Sequence, residues 1–206
     1  MKLIVFFMVL LVVMVSGCTS SNNLDFSGLK DPNLNYSWEF SDTVSGGGHT
    51  LNSTYFQLKR YNIFEILFND CNPPYQINYK HEEGHIYINQ MLKIENYDDF
   101  EYSMFNSSNL NISYDPTFRQ FNIAVSEGIA DYYAISYFNN STSDEYFKCI
   151  EKRKDDSEHG FKQHYQGFLF VQYALNNKLY YNLTDMILDL DSVRQYNYFS
   201  DFIRTS

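Results

Sequence analysis

The chain has 206 residues, the size of one globular domain, and a formal net charge of −10 at pH 7. So acidic a chain has no evident basic face for nucleic acid phosphates or anionic lipid headgroups, which argues against both as partners. Aromatic residues make up 18% of the sequence, which is enough to build a packed core.

The N-terminus has the pattern of an export signal. One lysine precedes an unbroken apolar run from Leu3 to Val15, too short to span a bilayer comfortably but suited to a signal sequence. The run ends in VSGC, which resembles the lipobox of prokaryotic lipoproteins and implies that Cys18 is lipidated. The alternative is an ordinary cleaved signal with an incidental cysteine. We therefore expect a signal peptide at 1–18, a polar linker at 19–34 and one domain at 35–206.

Export would place the domain outside the cytoplasm, at the cell surface, with the lipid anchor as its only attachment to the membrane. The remaining cysteines are Cys71 and Cys149. An extracytoplasmic location permits a disulfide between them, and two buried free thiols are the alternative.

The secondary structure is expected to change from strands to helices along the chain. YSWEF, STYFQLK and YNIFEILF are short and rich in aromatic and β-branched residues, and YQINY at 75–79 is expected to add an edge strand. Helices are expected at 80–95, 122–138 and 161–177, with a shorter one in LTDMILDLD and a long loop at 96–120. This order predicts an α+β fold, with N-terminal antiparallel strands followed by a helical part.

The first predicted helix carries a metal-binding motif. The HEEGH segment, His81 to His85, matches H-E-x-x-H, and residues four apart share one helix face, so both imidazoles can reach one ion. Zinc lowers the pKa of a bound water to about 7, and Glu82, about 100° round the helix from His81, can take its proton. Glu83 is expected to be a solvated charge. The alternative is a charged helix that carries the motif by chance and binds no metal, with the histidine pair far from Glu127.

A third ligand is expected in the second helix. Glu127 lies among small and apolar residues, where a buried carboxylate is costly unless it is paired or bound to a metal. Asp131 follows at i+4 on the same face and can accept a hydrogen bond from a ligand histidine. The alternative is an amphipathic helix with two exposed acids.

HEEGH followed by EGIADYYA resembles the gluzincin zinc metallopeptidases, especially the peptidase MA-like group, over roughly half the chain. The resemblance implies a zincin-like fold in which the two motif helices pack side by side. It implies these roles: zinc ligands His81, His85 and Glu127, general base Glu82, and Asp131 as hydrogen-bond partner of a ligand. Metzincins need a third histidine directly behind the motif, and IYINQML at 86–92 has none.

A donor to the oxyanion is expected on a later helix. HYQGFLFVQYAL resembles the helix of this group that carries a donor tyrosine, which implies His164 at that position with Tyr165 adjacent. For each of the two, the alternative is a half-buried core side chain. His159 is expected on a charged surface and His49 in a loop.

Two functions are compatible with these residues. The first is a lipid-anchored extracytoplasmic zinc endopeptidase acting on peptides or proteins, because the G-x-M-E-N segment of aminopeptidases is missing. Zn²⁺ is expected from two imidazoles and a carboxylate, although Co²⁺ or Mn²⁺ would also bind. The second is a non-catalytic surface lipoprotein, a binding or adhesion module on a metallopeptidase-like scaffold. Glu82 favours the enzyme, because a scaffold without activity has no chemical reason to keep a motif residue that binds no metal.

Overall fold

The computed structural model describes residues 26, 28–44, 47–61, 74–94, 116–152, 154, 161–190 and 192–205. Several sequence-based expectations lie outside these residues. They are the signal peptide with Cys18, most of the YNIFEILF strand, Cys71 and His159.

Three short strands form a mixed sheet near the N-terminus: β1 (Ser37–Ser41), β2 (Gly48–Asn52) and β3 (Tyr55–Lys59). The central strand is β3, which pairs with β2 in antiparallel and with β1 in parallel orientation. The expectation of antiparallel strands is therefore right for the β2–β3 pair and wrong for β1. The reason is that β3 lies between the other two strands in the sheet, so that β1 pairs with β3 instead of with β2, its neighbour in the chain.

Six helices follow in the described part of the chain, which confirms the α+β class. They are α1 (Tyr75–Leu92), α2 (Pro116–Ser136), α3 (Asn140–Lys152), α4 (Phe161–Asn176), α5 (Leu183–Leu188) and α6 (Val193–Thr205). Helix α6 has no counterpart among the expected elements. Within the described residues, no helix has the length and apolar character needed to cross a membrane.

Helix α1 begins earlier than the sequence pattern indicates. The YQINY segment, expected to be an edge strand, forms its first turns, directly after Pro74 at the N-cap. Ile77 and Tyr79 are buried together with polar neighbours such as Asn78 and Lys80. A helix that is covered on nearly all sides has no clear amphipathic period, so the alternation of apolar residues here was misleading.

The sheet covers one side of α1, and α2 covers another side and also packs against α4. Beneath the sheet, aromatic rings from β1, β3 and α1 form a compact cluster that includes Trp38, Phe56 and Tyr79. A second core between α2, α4 and α6 contains Phe121 and Phe170. These two cores fix α1 and α2 against each other, and both predicted motifs lie on these helices.

Part of the segment expected to be a polar linker packs on the domain. Phe26 is only 2% exposed, and its ring centroid lies 5.0 Å from that of Tyr79 and 5.2 Å from that of Trp38. Leu34 is buried as well. These apolar side chains in an otherwise polar stretch attach the residues before β1 to helix α1.

Candidate metal centre

Helices α1 and α2 approach each other closely at Gly84, inside the HEEGH motif. A Cβ atom at this position would lie 2.9 Å from the Cα atom of Ala130 on α2. Only glycine therefore allows this distance between the helices. Because the neighbouring residue is His85, the crossing brings the motif histidines against α2.

Helices α2 and α4 are in backbone contact at a pair of glycines. A Cβ at Gly128 would lie 2.1 Å from the carbonyl carbon of Gly167, and one at Gly167 would lie 1.6 Å from the carbonyl oxygen of Ala124. No side chain fits at either glycine. Glu127 precedes the first glycine and His164 lies one helical turn before the second, so this crossing places both beside α1.

The two motif histidines and Glu127 meet at one point. His81 Nε2 and His85 Nε2 each lie 3.2 Å from Glu127 Oε2, and the two nitrogens are 3.1 Å apart. Both histidines are buried. In a tetrahedral zinc site with bonds of about 2.0–2.1 Å, neighbouring ligand atoms are about 3.3 Å apart. The spacing fits such a site, and the alternative in which the histidine pair lies far from Glu127 is wrong.

Asp131 is fully buried and joins two histidines. Its Oδ1 accepts a hydrogen bond from His81 Nδ1 at 2.8 Å, and its Oδ2 accepts one from His164 Nδ1 at 2.9 Å. The hydroxyl of Tyr146 also donates to Oδ1, at 2.6 Å. A hydrogen bond from a ligand histidine was expected, whereas those from the second histidine and Tyr146 were not, because the sequence does not show how α3 and α4 pack against α2.

The histidines and carboxylates of the cluster stabilise each other's ionised forms. Burial alone would lower the pKa of His81, but the carboxylates of Asp131 and Glu127 outweigh it and raise this pKa well above its usual range. The pKa of His164 is raised for the same reasons. Burial alone would raise the pKa of Glu127, but His85 and His164 leave it well below its usual range. Two carboxylates in a buried site thus require positive charge, which protons or a divalent cation can supply.

Glu82 lies on another face of α1 and contacts the sheet. It is 4% exposed, and its Oε2 accepts a hydrogen bond from the Thr50 hydroxyl of strand β2 at 2.7 Å. A Cβ at Gly48 would lie 2.7 Å from Glu82 Oε1, so the glycine allows the strand to reach the carboxylate. The sequence-based analysis did not identify Thr50, although Thr50 ends the Gly-rich segment SGGGHT, and glycines in or beside a strand can mark a close approach of backbone.

The expectation that Glu83 is a solvated charge is wrong, because Glu83 and Lys80 are both fully buried. The Glu83 carboxylate accepts hydrogen bonds from the Lys80 ammonium, from the backbone N–H of Asp31 at 2.7 Å, and from the hydroxyls of Tyr36 at 2.5 Å and Tyr133 at 3.1 Å. The residues before β1 cover this face of α1 and exclude water. Glu83 therefore connects the N-terminal segment, α1 and α2.

Tyr165, the second candidate donor to the oxyanion, has the contacts of a core residue. Its ring stacks on that of Phe147 with 5.9 Å between the centroids, and the Lys154 ammonium lies 5.2 Å from the centroid of the Tyr165 ring. His49 lies on strand β2, opposite Gln57 of β3, instead of in a loop.

Cys149 on α3 is disulfide-bonded, so it is not a free thiol; Cys71, which was considered as its possible partner, lies outside the described residues.

The described residues contain two overlapping groups able to hold a metal ion, and all ligand atoms within each group lie within 4.8 Å of one another. One group is His81, His85 and Glu127, and the other is His81, Asp131 and His164. Imidazole nitrogens with a carboxylate oxygen are a donor set that suits zinc. No protein-family model, curated protein or solved structure matches the chain with significant similarity.

Proposed function

We propose that this chain is a zinc metallopeptidase of compact gluzincin type, with a zincin-like fold, that hydrolyses bonds within peptides or proteins. The observation that carries the proposal is the meeting of His81, His85 and Glu127 at one buried point, with 3.1–3.2 Å between their ligand atoms. The H-E-x-x-H spacing and the later glutamate are the pattern that this chemistry requires.

The residues present fit a zinc ion. His81, His85 and Glu127 would hold it, and Asp131 orients His81 through the Nδ1 proton, so that the Nε2 lone pair faces the site. When bound, zinc would lower the pKa of a coordinated water to about 7 and polarise a substrate carbonyl. Three protein ligands and one further position are typical of hydrolytic zinc sites.

Glu82 is assigned the role of general base. It binds no metal in this arrangement, and its carboxylate is buried, which disfavours competing hydrogen bonds to bulk water. We propose that it takes a proton from the attacking water and passes it to the leaving amine. The hydrogen bond from Thr50 holds one carboxylate oxygen and leaves the other to accept the proton.

The proposed location is the outer surface of a prokaryotic membrane. It rests on the apolar run from Leu3 to Val15 and on the lipobox-like VSGC that ends at Cys18. The lipid would anchor the domain without a membrane span, and the net charge of −10 suits a protein that does not itself dock on anionic headgroups.

Cleavage of a peptide library by the purified full chain tests the proposal, with Glu82→Gln as the inactive variant and Glu83→Gln as its neighbour control. We expect zinc-dependent cleavage that is lost by at least about 100-fold in Glu82→Gln, since general base catalysis contributes about 10²–10⁴-fold. The Glu83→Gln variant should retain activity as long as it folds. Equal cleavage by Glu82→Gln and the unmodified chain would contradict the assigned role. Zinc binding without cleavage of any peptide would favour a non-catalytic surface lipoprotein.

A further inference from the structure

The carboxylate proposed as general base is held by strand β2 as well as by its own helix. Thr50 is 3% exposed, and its hydroxyl lies 2.7 Å from Glu82 Oε2 and 3.2 Å from the Glu82 carbonyl oxygen. A hydroxyl has one proton to donate, and the carboxylate is both the closer and the charged acceptor, so the stronger bond is the one to Oε2. This bond fixes the Glu82 side chain relative to the sheet.

Gly48 lies beside the other oxygen of the same carboxylate. A Cβ at this position would lie 2.7 Å from Glu82 Oε1 and 2.9 Å from the backbone carbonyl oxygen of Gln57. The strand can therefore pair with β3 and approach Glu82 at the same residue because that residue has no side chain. The missing Cβ also leaves Oε1 uncovered on this side, as an oxygen that takes a proton requires.

Strand β2 is shaped to present these two residues to α1. Gly48 and Thr50 are two positions apart in the strand, so they face the same way. Directly after Thr50 the pairing of β2 with β3 shifts register, and bulges of this kind re-aim side chains next to active sites. Just before the strand, a Cβ at Gly47 would lie 2.8 Å from the side chain of Asn78, one helical turn before Glu82. The strand thus approaches α1 at two successive turns.

We infer that Thr50 is a positioning residue for the general base, and that the sheet, through Thr50 and Gly48, sets the direction of the Glu82 carboxylate. This inference rests on the role proposed above for Glu82. The Thr50 hydroxyl bonds the base and not the metal ligands, so its loss should slow the chemical step and leave the binding of zinc and of substrate nearly unchanged. Misplacing a catalytic group by about 1 Å can lower the rate by about 100-fold.

Kinetics of the zinc-loaded full chain on a peptide that it cleaves test this inference. Thr50→Val keeps the shape of the side chain but removes the hydroxyl, and kcat should fall by at least about 10-fold in this variant. KM and the affinity for zinc should change little, as they do when an interaction that acts in the transition state is lost. Thr50→Ser keeps the hydroxyl and should restore most of kcat. As a matched control, Thr43→Val removes an exposed hydroxyl that bonds Ser41 at 2.9 Å and should have no effect.

Infrared difference spectroscopy gives a second readout that does not require activity. The carboxylate stretching band that is lost in Glu82→Gln should shift in Thr50→Val, because one carboxylate oxygen loses its hydrogen bond. The band should keep its position in Thr50→Ser and in Thr43→Val. If Thr50→Val does not fold, Thr50→Ala removes the same hydroxyl with a smaller side chain.

A folded Thr50→Val with unchanged kcat, or with an unshifted band, would overturn the inference and leave the proposed peptidase intact. Equal losses of kcat in Thr50→Ser and Thr50→Val, or a zinc affinity that falls together with kcat, would also overturn it, because Thr50 would then act through the fold or through the metal site. A full chain that cleaves no peptide would overturn the proposed function, and the position of the infrared band would then decide whether Thr50 holds Glu82.

Discussion

Replacing Asp131 with alanine is expected to weaken metal binding by roughly 100-fold or more. Asp131 bonds Nδ1 of His81 at 2.8 Å and Nδ1 of His164 at 2.9 Å. Removing the hydrogen-bond partner of one ligand histidine typically costs about 10–100-fold in metal affinity, and Asp131 is that partner for His81. A 100-fold loss is about 2.7 kcal/mol of binding free energy. The same change also removes one of the two carboxylates whose charge attracts the cation.

Competition between the chain and a chromophoric chelator measures this effect at fixed pH, while near-ultraviolet circular dichroism confirms that the variants fold. Asp131→Asn keeps an oxygen that accepts a hydrogen bond and should lose less affinity than Asp131→Ala. Tyr146→Phe removes the third partner of Asp131 but leaves both histidine bonds, and should change the affinity by less than about 10-fold. Equal losses in Asp131→Ala and Tyr146→Phe would refute the idea that Asp131 orients two histidines.

Three further predictions concern stability. Lys80→Met should lower the free energy of unfolding by about 3–5 kcal/mol, because it leaves the Glu83 carboxylate buried without its cation. Adding Glu83→Gln should restore a measurable part of the loss in urea denaturation, and a double variant as unstable as the sum of the single ones would contradict this. Gly167→Ala should lower the free energy of unfolding by about 3 kcal/mol or more, since its Cβ would collide with the backbone of α2. Gly28→Ala, with open space around its Cβ, should be nearly neutral. Similar melting temperatures of the two variants would contradict the close helix contact. In the metal-free chain, the pKa values of the two histidines bonded to Asp131 are raised. The protonated histidines therefore stabilise the fold below about pH 6.5, and this contribution is lost as the pH rises through the raised pKa values. The site carboxylates have lowered pKa values, so their contribution is present above about pH 4 and is lost as the pH falls. The metal-free chain should therefore be most stable between about pH 4 and about pH 6.5. Zinc displaces the protons of the histidines, so the pH of maximal stability should be higher when zinc is bound. Thermal melts that show the same optimum pH with and without zinc would contradict this.

Most residues of the candidate metal centre could be predicted because they lie in two short local patterns. His81 and His85 share a helix face because residues four positions apart always do. Glu127 was identified because it is an acid among small and apolar residues. Asp131 followed from the same periodicity. What the sequence did not provide was the distance between the two helices, which Gly84 fixes through its contact with Ala130.

Other features depend on contacts between residues far apart in sequence. Glu83 was expected to be solvated because the motif gives it no chemical role, but the groups that cover it come from Asp31, Tyr36 and Tyr133. Thr50 was not identified for the same reason, since a single threonine in a strand carries no signal that it bonds Glu82. The parallel pairing of β1 with β3 is likewise a choice of topology, which the strand pattern leaves open.

Elemental analysis of the purified full chain after zinc loading and removal of unbound metal tests the central proposal most directly. His85→Ala and Glu127→Ala remove ligands, and His49→Ala removes a histidine outside the site. We predict about one zinc per chain in the unmodified protein and in His49→Ala, and loss of most of the metal in both ligand variants. No zinc in the unmodified chain, or equal zinc in all four proteins, would contradict a metal centre at His81, His85 and Glu127.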